Sequence, residues 1–329
     1  MRVVAAPDKF RGTATGQEIA GAIAAAASSV GWRCTEVPVA DGGEGTLDAL
    51  GGPNRESLVT GPLGDEVLAE WRMSSNLAVV EMARASGLEL AGGVDGNRPL
   101  EATTAGTGEL IAEAVAAGAR RVVVGVGGSA TTDGGLGAIR AMEPLARLHG
   151  VEIEVACDVR LTFVEAAARF GPQKGASPAQ VKFLEGRLER LSQVYLDDFG
   201  VDVGALVGSG AAGGLAGGLA AVGGCLVPGF ELVAEELELF GAIEGADLVV
   251  TGEGFIDDQS FDGKAVGGVA AMAAELGVPV LAVAGQVFDG GCDGVTAVSL
   301  TDLFGMASAL ADTTTLVERV VFDHLTSMA

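Results

Sequence analysis

The chain reads as an α/β protein built on a doubly wound parallel sheet, interrupted by an inserted second α/β domain. Three observations predict this. Short aliphatic runs alternate with Ala-rich stretches of helical spacing, the pattern of parallel strands joined by crossover helices. Hydrophobic residues make up 49% of the chain and aromatics 5%, so the core is built from Ala, Val, Leu and Ile, as in strands buried on both faces. The 52 glycines show no collagen-like period and suit many strand-to-helix turns. A length of 329 residues favours about two domains.

The elements follow in order. A strand at residues 3–6 leads through a turn to a helix at 17–28, then a strand at 35–39 and a helix starting near Gly45. In the last third, strands fall at 247–251, 278–284 and 295–299, with a helix at 266–276 before the second and a shorter helical stretch after Gly285 before the third. These five strands form one sheet. Between them lies an excursion with its own strands at 70–73, 77–81, 121–126 and 151–156. Thr104 and its neighbours read as a helix start, with apolar Leu110, Ile111 and Val115 on one face. Residues 1–57 with 231–329 are thus expected to form one discontinuous domain and residues 58–230 the inserted one. The active site is expected in the cleft between them, because ligands of open α/β sheets bind beyond the carboxyl ends of the strands.

Charge narrows the partners. Forty-four acids against 20 bases give a net charge of −24, a surface that repels nucleic acid and anionic membranes. A small anionic substrate must therefore be met by local cations, of which Lys9, Arg11, Lys174 and Lys264 sit in glycine-containing turns. Cys34, Cys157, Cys225 and Cys292 are far apart and form no CxxC pair, which argues against zinc and a disulfide framework and fits a reducing cytosol. His149 and His324 are the only histidines and neither lies in a glycine-rich motif, which disfavours a histidine base. The first residues lead directly into a strand, with no apolar signal core. Residues 203–230 carry no charge, but ten of them are glycine and the flanks Asp202 and Glu231 are acidic; a buried Gly/Ala-rich helix with loops is expected there, not a membrane span.

Four glycine-and-acid clusters, at residues 38–45, 126–135, 156–159 and 251–257, carry the chemistry, and the first turn adds charged groups beside them. In the first turn Asp8, Lys9 and Arg11 stand within four residues; the bases suit a substrate carboxylate or phosphate with Asp8 orienting them, or the turn is a surface loop with local ion pairs, and Asp8 is a catalytic candidate beside Asp158. Asp41 precedes Gly42, Gly43 and Gly45. Gly127, Gly128, Ser129 and Thr131 follow a pure strand and precede a helix at 136–140, the arrangement of a phosphate cradle. Glu253 and Asp257, with Asp258 beyond, offer hard oxygen ligands for Mg²⁺, as does Asp41. In the cluster at 156–159, Asp158 ends an apolar strand and is read either as the base that deprotonates an alcohol or as a helix cap. Lys174 sits in a Gly-Pro-Gln-Lys-Gly turn suited to an anion.

Gly210 and Gly213 belong to a GxGxxG pattern that no clear strand precedes, so it reads as close helix packing or a nucleotide-facing loop. It leaves a dinucleotide-dependent oxidoreductase as one alternative and a non-catalytic small-acid-binding protein as another. Neither the Walker pattern nor the protein-kinase signatures occur. Glycine turns, Mg²⁺-suited acids and a carboxylate base together point to phosphoryl transfer onto a small molecule.

In order and spacing these segments resemble the bacterial type I glycerate kinase family. The resemblance is carried by residues 6–12, 38–46, Val59-Thr60-Gly61-Pro62-Leu63-Gly64, Val80-Glu81-Met82-Ala83-Arg84-Ala85-Ser86-Gly87-Leu88, 103–111, 125–135, 156–159, 170–176, 208–215 and 251–260. It implies a flavodoxin-like domain interrupted by a second α/β domain, with transfer of the ATP γ-phosphate to D-glycerate at the 2-hydroxyl in the presence of Mg²⁺. The chain departs from the family's pattern at Lys9 and Arg11, where Ser and Lys are common, and at Phe255, where Arg is common. It departs again at Gln286-Val287, at 160–163, and between about 140 and 151, where a stretch many members carry is omitted.

Overall fold

The computed structural model describes residues 1–257, 264–288 and 294–328, so Asp258, Ser260 and Cys292 lie outside the described residues. In chain order the strands are β1 Arg2–Ala5, β2 Arg33–Glu36, β3 Arg55–Thr60, β4 Glu66–Ser74, β5 Leu77–Glu81 and β6 Arg121–Gly125. They continue with β7 Glu152–Ala156, β8 Cys225–Val227, β9 Leu248–Ile256, β10 Val280–Val287 and β11 Val295–Ser299. The chain divides into two compact units, residues 1–41, 48–50 and 230–329 in the first and 42–47 with 51–229 in the second.

The first unit is a parallel five-stranded sheet in the order β11-β10-β9-β1-β2. Alternate residues of β1 point to opposite faces. Val3 and Ala5 pack with Ile19, Ile23, Val317 and Val321 from the helices Gly16–Ser29 and Thr313–Met328. Val4 packs with Phe230, Leu239, Ile243 and Val269 on the other side. Helices on both faces explain why the inner strands β1, β9 and β10 read as aliphatic runs. The strand order reverses between β1 and β9, and that switch point is where such sheets bind ligands. β9 and β10 stay paired as far as Ile256 and Val287, well past the last β1–β9 pair at Ala5 and Val250. Residues 285–287 are therefore strand, and most of the helical stretch expected after Gly285 falls on 289–293, outside the described residues.

The second unit is a six-stranded sheet in the order β3-β4-β5-β6-β7-β8, antiparallel through β3, β4 and β5 and parallel from β5 to β8. The expected domain boundary at 57/58 falls inside β3, all of whose pairs are with β4. The charge-free stretch becomes a buried 3-10 turn at Ala211–Gly214, the buried helix Leu215–Ala221 and β8. No helix of the described residues is long and apolar enough to cross a membrane. The helix Pro178–Phe199 was not anticipated, although Leu184, Leu188, Leu191 and Tyr195 form a helical stripe that is buried along its length. Ser177 and Gln180 close a capping box at its start, with Pro178 at the first helical position.

Candidate active site

At the switch point of the first unit, three carboxylates come together from three neighbouring strands: Asp8 beyond β1, Asp41 beyond β2 and Glu253 within β9. Phe10, buried to 2%, anchors the loop after Asp8 by pairing its backbone with Ala14, which leaves Lys9 partly exposed and Arg11 exposed. Asp8 is itself buried, and its N–H is held by Gly252 O at 2.9 Å. Burial pushes the Asp8 carboxyl up to about 7, and the charges of Asp41 and Glu253 push the same way. Lys9 opposes them, through its ammonium at 4.0 Å and its N–H at 2.7 Å. A carboxylate poised near neutrality at a strand end is suited to accept a proton from an alcohol.

Asp257 does not join this group. It lies just beyond the end of β9, four residues past Glu253, and four residues of extended chain span about 13 Å, too far for one Mg²⁺ to take both. Among the described residues no three His, Cys, Asp or Glu side chains are grouped so as to hold a metal by themselves. One or two carboxylates suffice when substrate phosphates complete the shell, and the hard oxygens of Asp41 and Glu253 fit Mg²⁺ on those terms.

The second unit treats its acids differently. The phosphate cradle expected at the start of the helix Leu136–Ala141 is already filled by Asp133. Its carboxylate accepts from Thr104 N and Thr104 Oγ1 at 2.9 Å, Gly135 N at 3.1 Å and Gly137 N at 3.2 Å. It thus serves two helix starts, its own and that of Ala105–Ala116. Earlier in the same loop Gly127 and Ser129 are partly exposed and Gly128 exposed, with Gly128 at φ +68°; these three remain open to an anion. Thr131 is fully buried and does not share that access.

Lys174, expected to face an anion, is only 2% exposed, and its Nζ donates to Thr131 O at 2.6 Å. Burial holds the ammonium down at about 7, partly offset by Asp133. Gly210 and Gly213 are buried packing positions: a Cβ on Gly210 would lie 2.3 Å from Thr162 O, and one on Gly213 1.9 Å from Thr131 O. Their glycines are accounted for by backbone contact, which removes the ground for a dinucleotide site there.

Asp158 is exposed, and its Oδ1 accepts from Gly229 N at 2.8 Å, the first residue of the helix Gly229–Glu236. That bond fits the cap reading. Glu81, which the sequence reading passed over as a strand end, is 1% exposed and accepts from Gly45 N and Leu47 N at 2.8 Å each. It fixes the glycine turn after Asp41, whose Gly42 has no room for a side chain against Gly229 and Ala156. The signal was available: an acid closing an aliphatic strand needs buried donors.

Comparison with known proteins places the chain first among phosphotransferases that act on an alcohol group. The sequence profile of the glycerate kinase family matches residues 3–146 and 143–323, and the chain belongs to that family. The two matches meet at 143–146, inside the region where the family's omitted stretch was expected; here the helix Leu136–Ala141 passes through a cis Glu143–Pro144 bond and the turn Leu145–Leu148 directly into β7. Glycerate 2-kinase of Escherichia coli K12 is 39% identical over 331 aligned residues, which cover 88% of this chain and 86% of that protein. A glycerate kinase of Halalkalibacterium halodurans is 36% identical, with coverage of 88% and 86%. The crystal structure of a Salmonella typhimurium LT2 protein, provisionally described as glycerate kinase 2, superposes with a TM-score of 0.83 at 34% identity, covering 100% of this chain and 99% of that one.

Proposed function

We propose that the chain transfers the γ-phosphoryl group of ATP to D-glycerate at the 2-hydroxyl, with Mg²⁺. The observation that carries this is the cluster of Asp8, Asp41 and Glu253 at the switch point, in a chain of the glycerate kinase family. The name of the Escherichia coli relative supports the 2-hydroxyl.

Asp8 is the base in this reading. Its raised pKa matches the task, and with Asp158 engaged as a cap it is the better placed of the two candidates. Asp41 and Glu253 would hold Mg²⁺, which when bound neutralises charge on the transferring phosphoryl group. Lys9, partly exposed, and Arg11, exposed, follow Asp8 in the same turn and supply cations for the substrate carboxylate. Gly127, Gly128 and Ser129 present a glycine turn to phosphate oxygens.

³¹P NMR of the product formed from ATP, Mg²⁺ and D-glycerate tests both activity and position, with 2-phosphoglycerate expected. A 3-phosphoglycerate product would overturn the regiochemistry. ADP release with lactate or glycolate equal to that with glycerate would overturn the substrate.

A further inference from the structure

Building on the kinase reading, we propose that Lys174 is a positioning residue for the turn at Gly127, Gly128 and Ser129, acting through the carbonyl of Thr131 and not by touching substrate. The geometry is a clamp on the carbonyl side of one short segment. Lys174 Nζ takes Thr131 O at 2.6 Å. Asn97 Nδ2 donates to Ala130 O at 3.0 Å and, with its other hydrogen, to the main-chain carbonyl of Lys174 at 2.8 Å, so the Asn97 side chain ties the backbone that carries Lys174 to the clamped segment. Leu88 N takes Gly128 O at 2.8 Å, and Ala130 N is held by Ser86 O at 3.0 Å. Behind Thr131 the chain can approach only as glycine, since a Cβ on Gly213 would sit 1.9 Å from that carbonyl. The carbonyls of residues 128, 130 and 131 are therefore all occupied from within the unit, while the exposed part of the segment is the glycine turn.

A neutral side chain would fill this position without the cost of burying an ammonium, so the function of the nitrogen lies in the bond it makes. The Phe170 ring stands 6.0 Å from Nζ, and Asp133 is the charged group whose field reaches it. Asp133 in turn is committed to the two helix starts. Burial keeps the ammonium near neutrality, so it loses its proton as pH rises through about 7. The charge-assisted bond to Thr131 O weakens over the same range.

The test compares the wild-type chain with Lys174→Met, which fills the space and removes the donor. Hydrogen exchange of the amides at 127–132, measured without ligand, should quicken at least tenfold in the variant. Calorimetric titration with Mg·ADP should show affinity at least tenfold weaker, with KM for glycerate within threefold of wild type. The wild-type affinity should also fall as pH rises through about 7, and that dependence should vanish in Lys174→Met. Should the variant fail to fold, Asn97→Leu, which releases Ala130 O, is expected to move exchange and ADP affinity the same way to a smaller extent. Unchanged exchange at 127–132 overturns the clamp whatever ADP does. A tenfold rise in glycerate KM with ADP affinity intact overturns it too, by placing Lys174 against the acceptor. A wild-type chain that binds no Mg·ADP sinks the kinase reading instead, and exchange still decides the clamp.

Discussion

Two turns of this molecule look alike in sequence and behave in opposite ways. Each puts an aspartate in a glycine-containing turn beyond a parallel strand: Asp8 after β1 and Asp133 after β6. Asp133 is buried and satisfied, accepting four hydrogen bonds from two helix starts. Asp8 is buried and crowded, with Asp41 and Glu253 adding to the cost of its charge. One carboxylate is consumed in holding the fold; the other is kept at a free-energy cost, the usual state of a group retained for chemistry. A buried acid therefore reveals its role through what surrounds it, and not through the motif that contains it.

The sharpest way to break this comparison is to neutralise each acid in turn. Asp133→Asn turns an acceptor into an amide that must face N–H donors, leaving several buried groups unsatisfied. A loss of about 3–5 kcal/mol is expected, read as a fall of roughly 10 °C or more in Tm. A loss under about 1 kcal/mol would mean that Asp133 does not anchor the two helices.

Asp8→Asn should do the reverse, leaving the fold intact while kcat falls by roughly 10²–10⁴. Its effect on stability has a definite sign. The folded-state pKa is raised from 3.8 to about 7, so the protonated carboxyl contributes stability that is present below about pH 4 and lost as pH rises to about 7. The variant should thus gain up to roughly 2–4 kcal/mol over wild type at pH 8 and little at pH 4, seen in denaturant melts at the two values. Loss of stability at pH 8 would contradict the crowding of Asp8.

The smallest effect belongs to Asp158. Asparagine is as good a helix cap as aspartate, so Asp158→Asn should keep kcat within about threefold, while Asp158→Ala should cost about 1 kcal/mol. A hundredfold loss of kcat in Asp158→Asn, with Tm unchanged, would return the base to Asp158 and leave Asp8 as its neighbour.

Much of this was legible without coordinates. The central strands β1, β9 and β10 followed from aliphatic runs separated by Ala-rich helices, because strands buried on both faces carry few polar residues to disguise them. The helix Pro178–Phe199 escaped notice because half of its surface is solvated and charged, which dilutes the stripe of Leu184, Leu188, Leu191 and Tyr195. β3 escaped because this edge strand carries charged residues on its open side, and β8 because it has only three residues.

By itself the sequence determined the class of fold, the succession of strand-end turns and the kind of chemistry they suit, since all three depend on residue types at local spacing. Only the tertiary structure decided which charged groups stay available. Lys174 reads as a cation in an open turn, yet it is buried against Thr131 O from 43 residues away. Asp158 and Gly229 are 71 residues apart, and Glu81 and Gly45 are 36 apart, when their hydrogen bonds assign them to holding backbone. A side chain's pKa, exposure and partner are set by desolvation and by atoms brought in from distant strands, and no local pattern encodes those.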